Sequence, residues 1–84
     1  MAEQRRVWYS ESERAYYVRV GRRYGVVAVV TSQGIPEYRV SAPQGGQYMH
    51  RGTQSGLKAA IGDAVNFSRQ RVTSLPDDAE RRDI

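Results

Sequence analysis

Cysteine is absent from the 84 residues, and histidine occurs once, at His50. Without cysteine the chain can form no disulfide, no thiolate zinc site and no cysteine nucleophile. A single histidine leaves no pair of imidazole ligands for a metal, and no serine stands in the Gly-x-Ser-x-Gly motif that presents a catalytic nucleophile. We therefore expect a non-enzymatic protein that needs no metal or other cofactor.

Long hydrophobic runs are also missing. The longest apolar stretch is residues 26–30, whereas a membrane-spanning helix needs about 18 apolar residues or more. No apolar signal segment stands at the N-terminus. The length of 84 residues fits one small domain with a single core. These features predict a cytoplasmic protein that does not bind membranes.

Lysine is nearly absent, and arginine supplies the basic charge. Lysine and arginine together number 13 against nine acidic residues, and Lys58 is the sole lysine. Residues 1–75 carry 11 basic and five acidic side chains, whereas residues 76–84 carry two basic and four acidic ones. Guanidinium groups bind phosphate and carboxylate in a bidentate manner. The basic body predicts a polyanionic partner, although the same charge also serves solubility.

Alternating β-branched and aromatic residues predict strands in the first two-thirds of the chain. The segments concerned are residues 7–10, 14–20, 26–31 and 37–42, with a fifth short strand at residues 47–51. Residues 26–31 are apolar on both faces, which is typical of a central strand. Two glycines predict a tight turn over residues 21–25, with Arg22 and Arg23 at its tip.

The hydrophobic period changes in the last third of the chain. Apolar residues that recur at spacings of three and four predict one helix over residues 55–72. Residues 76–84 are expected to form a mobile charged tail, with a short second helix as the alternative. The sequence therefore predicts one α+β domain over residues 1–75, in which a twisted antiparallel sheet of four to five strands carries a long C-terminal helix on one face.

Aromatic and basic residues are interleaved along the predicted strands, a pattern that suits a sheet for stacking bases and neutralising phosphates. Most of the six tyrosines are expected in the core, and Tyr17 and Tyr24 are expected on the surface. The loop over residues 51–58 leads into the helix and is either a phosphate site or an ordinary helix cap. The candidate binding residues are Arg19, Arg22, Arg23, Arg39, Arg51, Lys58, Tyr17 and Tyr24.

These features favour a small non-enzymatic binding module that docks DNA or RNA through an arginine- and tyrosine-rich sheet face and its hairpin. The alternative is a small inhibitor or adaptor, of the type that mobile elements encode. It would use the same surface against an acidic face of a larger nucleic-acid-processing protein or nucleoprotein complex. Pairing of an exposed sheet edge with a second copy, which would give a homodimer, is left open.

Overall fold

The computed structural model describes residues 5–84 as an α+β fold with one helix and an antiparallel sheet. Helix α1 is Gln54–Asn66. The strands are β1 Val7–Ser10, β2 Ala15–Val20, β3 Arg23–Ser32, β4 Ile35–Ser41, β5 Gln47–Arg51, β6 Arg71–Val72 and β7 Glu80–Arg82. The α+β class and the antiparallel sheet are confirmed, but the sheet has seven strands where four to five were predicted. The first four residues of the predicted domain lie outside the described range.

The strands lie in the order β5-β4-β3-β2-β1-β7, and β6 pairs with the first half of β3. Strands β1 to β5 pair antiparallel with their neighbours in the chain, which short turns permit. Gly21 has a φ of +61°, the left-handed conformation of the turn between β2 and β3. The turn was predicted over residues 21–25 but is shorter, because Arg23 pairs with Val20 and begins β3. Within residues 5–84, strands β5 and β7 are the two ends of this strand order.

Helix α1 packs on one face of the sheet, here called the helix face. Its buried side meets one valine from each of four strands, and this core contains Val7, Val18, Val27, Val40, Leu57, Ala60, Ile61 and Ala64. The small residues bring the helix close to the strands. A Cβ atom built on Gly25 would lie 3.0 Å from the carbonyl oxygen of Ala64, so Gly25 marks the point where α1 crosses β3 most closely.

Helix α1 ends at Asn66, six residues before the predicted end at residue 72. Phe67 leaves the helical conformation, with φ −129° and ψ −13°, and its N–H donates to the carbonyl oxygen of Asp63. Val72 continued the apolar period in the sequence, but it pairs with Tyr24 of β3 and packs on the other side of the sheet. The apolar period that predicted a helix over residues 55–72 therefore belongs to two elements, helix α1 and strand β6.

The C-terminal residues cross the opposite side of the sheet, here called the second face. Val72 and Leu75 pack there on a second buried cluster of Ala15, Tyr17 and Val26. The chain then turns and pairs with β1 as β7. Residues 76–84 were expected as a mobile tail or a short helix, and the structure instead gives them a turn and an edge strand. The physical reason is that this path covers apolar side chains which α1 cannot reach.

Asp78 fastens this crossing segment to the turn between β1 and β2. Its Oδ1 accepts a hydrogen bond of 2.6 Å from the Ser10 hydroxyl, and its Oδ2 accepts one of 2.9 Å from the Ser12 N–H. The bond from Ser10 first, and then the one from Ser12, lowers the pKa of the Asp78 carboxyl below its usual value. The ionised carboxylate is therefore the form that holds the segment in place.

Gly25→Val is expected to destabilise the protein by about 1–3 kcal/mol, because the new side chain must push α1 away from β3. Gly62 is the matched control, since a Cβ atom there would meet only the Arg5 side chain, at 3.7 Å. Gly62→Ala is expected to stabilise the helix by up to about 1 kcal/mol. Urea unfolding measures the change in the free energy of unfolding for both variants. A Gly25→Val protein as stable as the wild type would contradict the close approach of α1 to β3.

Asp78→Asn is expected to lower the melting temperature near neutral pH and to matter little in acid. Because folding lowers the pKa of Asp78, its contribution is present above about pH 4 and is lost as the pH falls through the folded value. Thermal unfolding of both proteins between about pH 7 and pH 2 gives the difference in melting temperature. A difference that does not shrink on acidification would show that another group anchors the segment.

Candidate nucleic-acid interface

Four arginines lie at the end of the sheet where β2 turns into β3. This end is here called the hairpin end. Arg22 is exposed in the turn itself, and Arg23 is the exposed first residue of β3. Arg19 precedes them on β2, and its backbone N–H donates to the carbonyl oxygen of Arg6 at 3.1 Å. The strand pairing therefore adds Arg6, which is distant in sequence, to the three arginines that the hairpin brings together.

The Arg19 side chain is held in a defined position. Its Nε donates to the carbonyl oxygen of Gly21 at 2.6 Å, and a terminal nitrogen donates to the Tyr24 hydroxyl at 3.0 Å. The guanidinium carbon lies 5.2 Å from the centre of the Tyr24 ring, a cation–π distance. Tyr24 in turn meets Trp8 edge-on, with ring centres 5.5 Å apart. A half-buried aromatic pair thus supports the guanidinium.

Acidic residues collect at the other end of the same strands. Glu11 and Glu13 lie in the turn between β1 and β2 with one basic residue, Arg14. Asp78 is bonded to that turn, and Glu80 pairs with Tyr9. A strand of six residues is about 20 Å long, so the two ends are well separated. Within residues 5–84, no carboxylate forms an ion pair with any of the four arginines at the hairpin end. The sheet is therefore polarised in charge.

Arg39 and Arg51 belong to a different part of the second face, where β3, β4 and β5 carry no C-terminal segment. Both contact Glu37, with 2.6 Å from Arg39 Nε to Oε1 and 3.7 Å from Arg51 Nε to Oε2. The Glu37 side chain is only 16% exposed. One carboxylate therefore compensates half the charge of two predicted binding residues, which weakens both as phosphate ligands.

Lys58 is exposed on α1 and does not join the hairpin end. The helix begins just after Arg51, which pairs with Glu37 near the start of β4, whereas the hairpin end is at the first residue of β3. The loop leading into the helix bonds within itself, since the Thr53 hydroxyl contacts that of Ser55 and makes no side-chain capping bond. Nothing in this loop geometry points to a bound phosphate.

Tyr17 was expected on the surface, and this prediction is wrong. It is 6% exposed, because the crossing segment between β6 and β7 covers it. Burial, followed by the nearby charges of Glu13 and Asp78, raises the pKa of its hydroxyl. Tyr24 is half-buried and keeps one side open at the rim of the second face. Of the two tyrosines proposed as contacts, only Tyr24 can reach a ligand without unfolding of the C-terminal segment.

Arg6 and Trp8 are the two interface residues that the predicted site omitted. Arg6 stands just before β1, and Trp8 reaches Tyr24 across β2. Their alternation, Arg6-x-Trp8, places both on one face of a strand. That signal was present in the sequence, but only the register of β1 against β2 shows that this face continues into the hairpin.

The described residues show a His50–Asp63 contact, with 2.5 Å between Nε2 and Oδ2, that joins β5 to α1. Across residues 5–84 no group of three or more potential metal ligands is present. In the same range, no helix is long and apolar enough to cross a membrane. No protein-family model, curated protein or solved structure matches the chain.

Tyr17→Ala is expected to destabilise the protein by about 3 kcal/mol, a value typical for truncation of a buried aromatic side chain. Tyr24→Ala should cost clearly less, because that ring is half-buried. Chemical denaturation of the two variants compares them directly. Equal losses for the two variants would contradict the burial of Tyr17 beneath the crossing segment.

Proposed function

We propose that this protein is a small nucleic-acid-binding module that contacts the phosphate backbone through its hairpin end. The observation that supports the proposal is the collection of Arg6, Arg19, Arg22 and Arg23 at one end of the sheet, without an ion-pair partner among residues 5–84. A guanidinium group without a carboxylate partner keeps its full capacity for bidentate phosphate contacts. The hairpin end therefore suits a chain of phosphates.

Arg19 gives this end a preorganised contact. Two of its N–H groups already bond to Gly21 and Tyr24, so little side-chain freedom is lost when the remaining donors meet a phosphate. The half-buried Tyr24 ring, with Arg19 over its face, can meet an unpaired base in an edge-to-face contact. Arg22 and Arg23 extend from the turn and add further positive charge. The proposed contact set is thus narrower than the eight residues that the sequence suggested.

The charge polarity of the sheet favours one orientation of the bound polyanion. Charges are screened over about 8–10 Å at physiological salt, which is shorter than the length of the strands. A nucleic acid near the hairpin end therefore feels the arginines there more strongly than the acidic residues at the far end. A nucleic acid that approaches the turn between β1 and β2 meets Glu11, Glu13 and Asp78 instead.

Arg22→Ala combined with Arg23→Ala is expected to weaken binding to random-sequence DNA and RNA by about tenfold or more at low salt. If four phosphates are neutralised on duplex DNA, wild-type affinity should fall about 100-fold between about 50 and 200 mM salt, and the double variant should lose about two units of that slope. Fluorescence anisotropy of labelled single- and double-stranded oligonucleotides measures both. The melting temperature should stay unchanged, because both side chains are exposed.

Arg14→Ala combined with Lys58→Ala is the matched control. It removes the same charge from two exposed side chains away from the hairpin end, one in the turn between β1 and β2 and one on α1. It should reduce affinity much less than the hairpin variant. Equal losses would mean that net charge attracts the nucleic acid and would contradict a site at the hairpin end. Absent binding, or binding with little salt dependence, would reject the proposal and favour the inhibitor or adaptor.

A further inference from the structure

The outer edge of β5 carries unpaired backbone groups in a regular pattern. The Gly52 N–H donates to the Pro36 carbonyl oxygen at 3.0 Å, and the Ala42 N–H donates to the Gly46 carbonyl oxygen at 3.1 Å. In an antiparallel pair, alternate residues of a strand bond to the same neighbour. Tyr48 and His50 therefore bond to β4, while Gln47, Met49 and Arg51 direct their N–H and C=O groups away from the sheet.

Exposed apolar side chains border this edge on both faces. Met49, at the centre of β5, is 57% exposed on the second face. Tyr48 is exposed on the helix face and packs edge-on against Phe67, with ring centres 5.9 Å apart. Three of the five large exposed apolar residues in the described part of the chain thus lie at one edge. Such a cluster beside free strand groups is a common feature of pairing surfaces.

The other edge of the sheet has the opposite character. All three residues of β7 are charged and exposed, which is a common protection against unwanted strand pairing. Self-pairing of β7 about its centre would also place Arg81 against Arg81 of another copy. Strand β5 contains no proline and no acidic residue, and its one arginine stands at the end. Of the two ends of the strand order described for residues 5–84, β5 is the one that combines free backbone groups with an edge that lacks such protection.

We propose that β5 pairs antiparallel with β5 of a second copy, about a two-fold axis at Met49, so that one sheet runs through both copies. In this register Gln47 faces Arg51 of the second copy on each side of a central Met49–Met49 pair. All three outward-facing residues then meet outward-facing residues, which places the groups for six backbone hydrogen bonds opposite each other. Two of these bonds use the Arg51 carbonyl oxygen, which lies beside Gly56 of α1. If the two-fold axis moves by one residue in either direction, four backbone hydrogen bonds remain. If the axis moves to a point between two residues, outward-facing residues stand opposite residues that already bond to β4.

The side chains agree with the same register. Met49 packs against its symmetry mate on the second face, and Tyr48 faces His50 of the second copy on the helix face. Arg51 meets a neutral glutamine, so no like charges stand opposite each other across the axis. Arg39, the neighbour of Met49 on β4, is already paired with Glu37. The proposal is independent of nucleic-acid binding, because it uses none of the four arginines at the hairpin end.

Sedimentation equilibrium of the wild-type protein without nucleic acid, over the micromolar range, is the first test. The expected result is reversible association to twice the 9.5 kDa chain mass. Met49→Glu, which places two carboxylates at the axis, should return the protein to a monomer with little change in its folded stability. Ile35→Glu is the matched control, since Ile35 is 44% exposed on the second face but lies away from β5, and it should leave the dimer intact.

A single introduced thiol gives a second, positional test because the chain has no cysteine. The Cα atoms of a hydrogen-bonded antiparallel pair are about 5.5 Å apart, which a disulfide can span. Met49→Cys should therefore yield a covalent dimer on mild oxidation much faster than Arg81→Cys on the other edge. A wild-type protein that stays monomeric would overturn the proposal. A dimer that survives Met49→Glu and is not trapped by Met49→Cys would overturn it as well.

Discussion

A helix of 13 residues covers only one face of a seven-stranded sheet, so the chain must bury the second face with whatever sequence remains after the helix. The segment from β6 to β7 does this by crossing from β3 to the outer edge of β1. It covers Tyr17 and Val26, and Asp78 fastens it to the far turn. A small domain buries little apolar surface in total, so the fold needs the burial that this segment provides as well as the burial that the helix provides.

The same crossing sets the charge distribution. It carries Asp78 and Glu80 toward the turn that already holds Glu11 and Glu13. The four arginines at the hairpin end are left without these acidic neighbours, and residues 14–36, which supply three of the four, contain no acidic residue. Net charge alone therefore underestimates the local positive charge at the hairpin end, because the fold separates the two signs along the strands.

The parts of the fold that the sequence predicted depend on local patterns. Residues 26–31 are predicted as a central strand because both of their faces are apolar, and Gly21 predicts the reversal between β2 and β3. The predicted turn over residues 21–25 is too long, because Arg23 and Gly25 lie in β3. The alternation of Glu37 and Arg39 likewise places them on one face, although alternation alone does not show that they form an ion pair. These features need no knowledge of distant contacts.

The parts that the sequence did not predict depend on contacts between distant residues. Val72 fits the helical period, yet it pairs with Tyr24 in β6 and packs on the second buried cluster. Tyr17 alternates with buried residues and so resembled a surface position, because nothing local shows that Leu75 returns to cover it. The same limit applies to the site, where Arg6 joins Arg19 only through the pairing of β1 with β2.

The two proposed surfaces lie in different directions, and their geometry has a joint consequence. A two-fold axis perpendicular to the sheet reverses the strands of the second copy, so the two hairpin ends would lie at opposite ends of the joined sheet. The basic end of each copy would then lie beside the acidic end of its partner. This arrangement adds no repulsion between the two basic ends. A dimer would therefore present two separate basic ends that contact two nucleic-acid segments, and each end would keep the affinity of the monomer for a single segment.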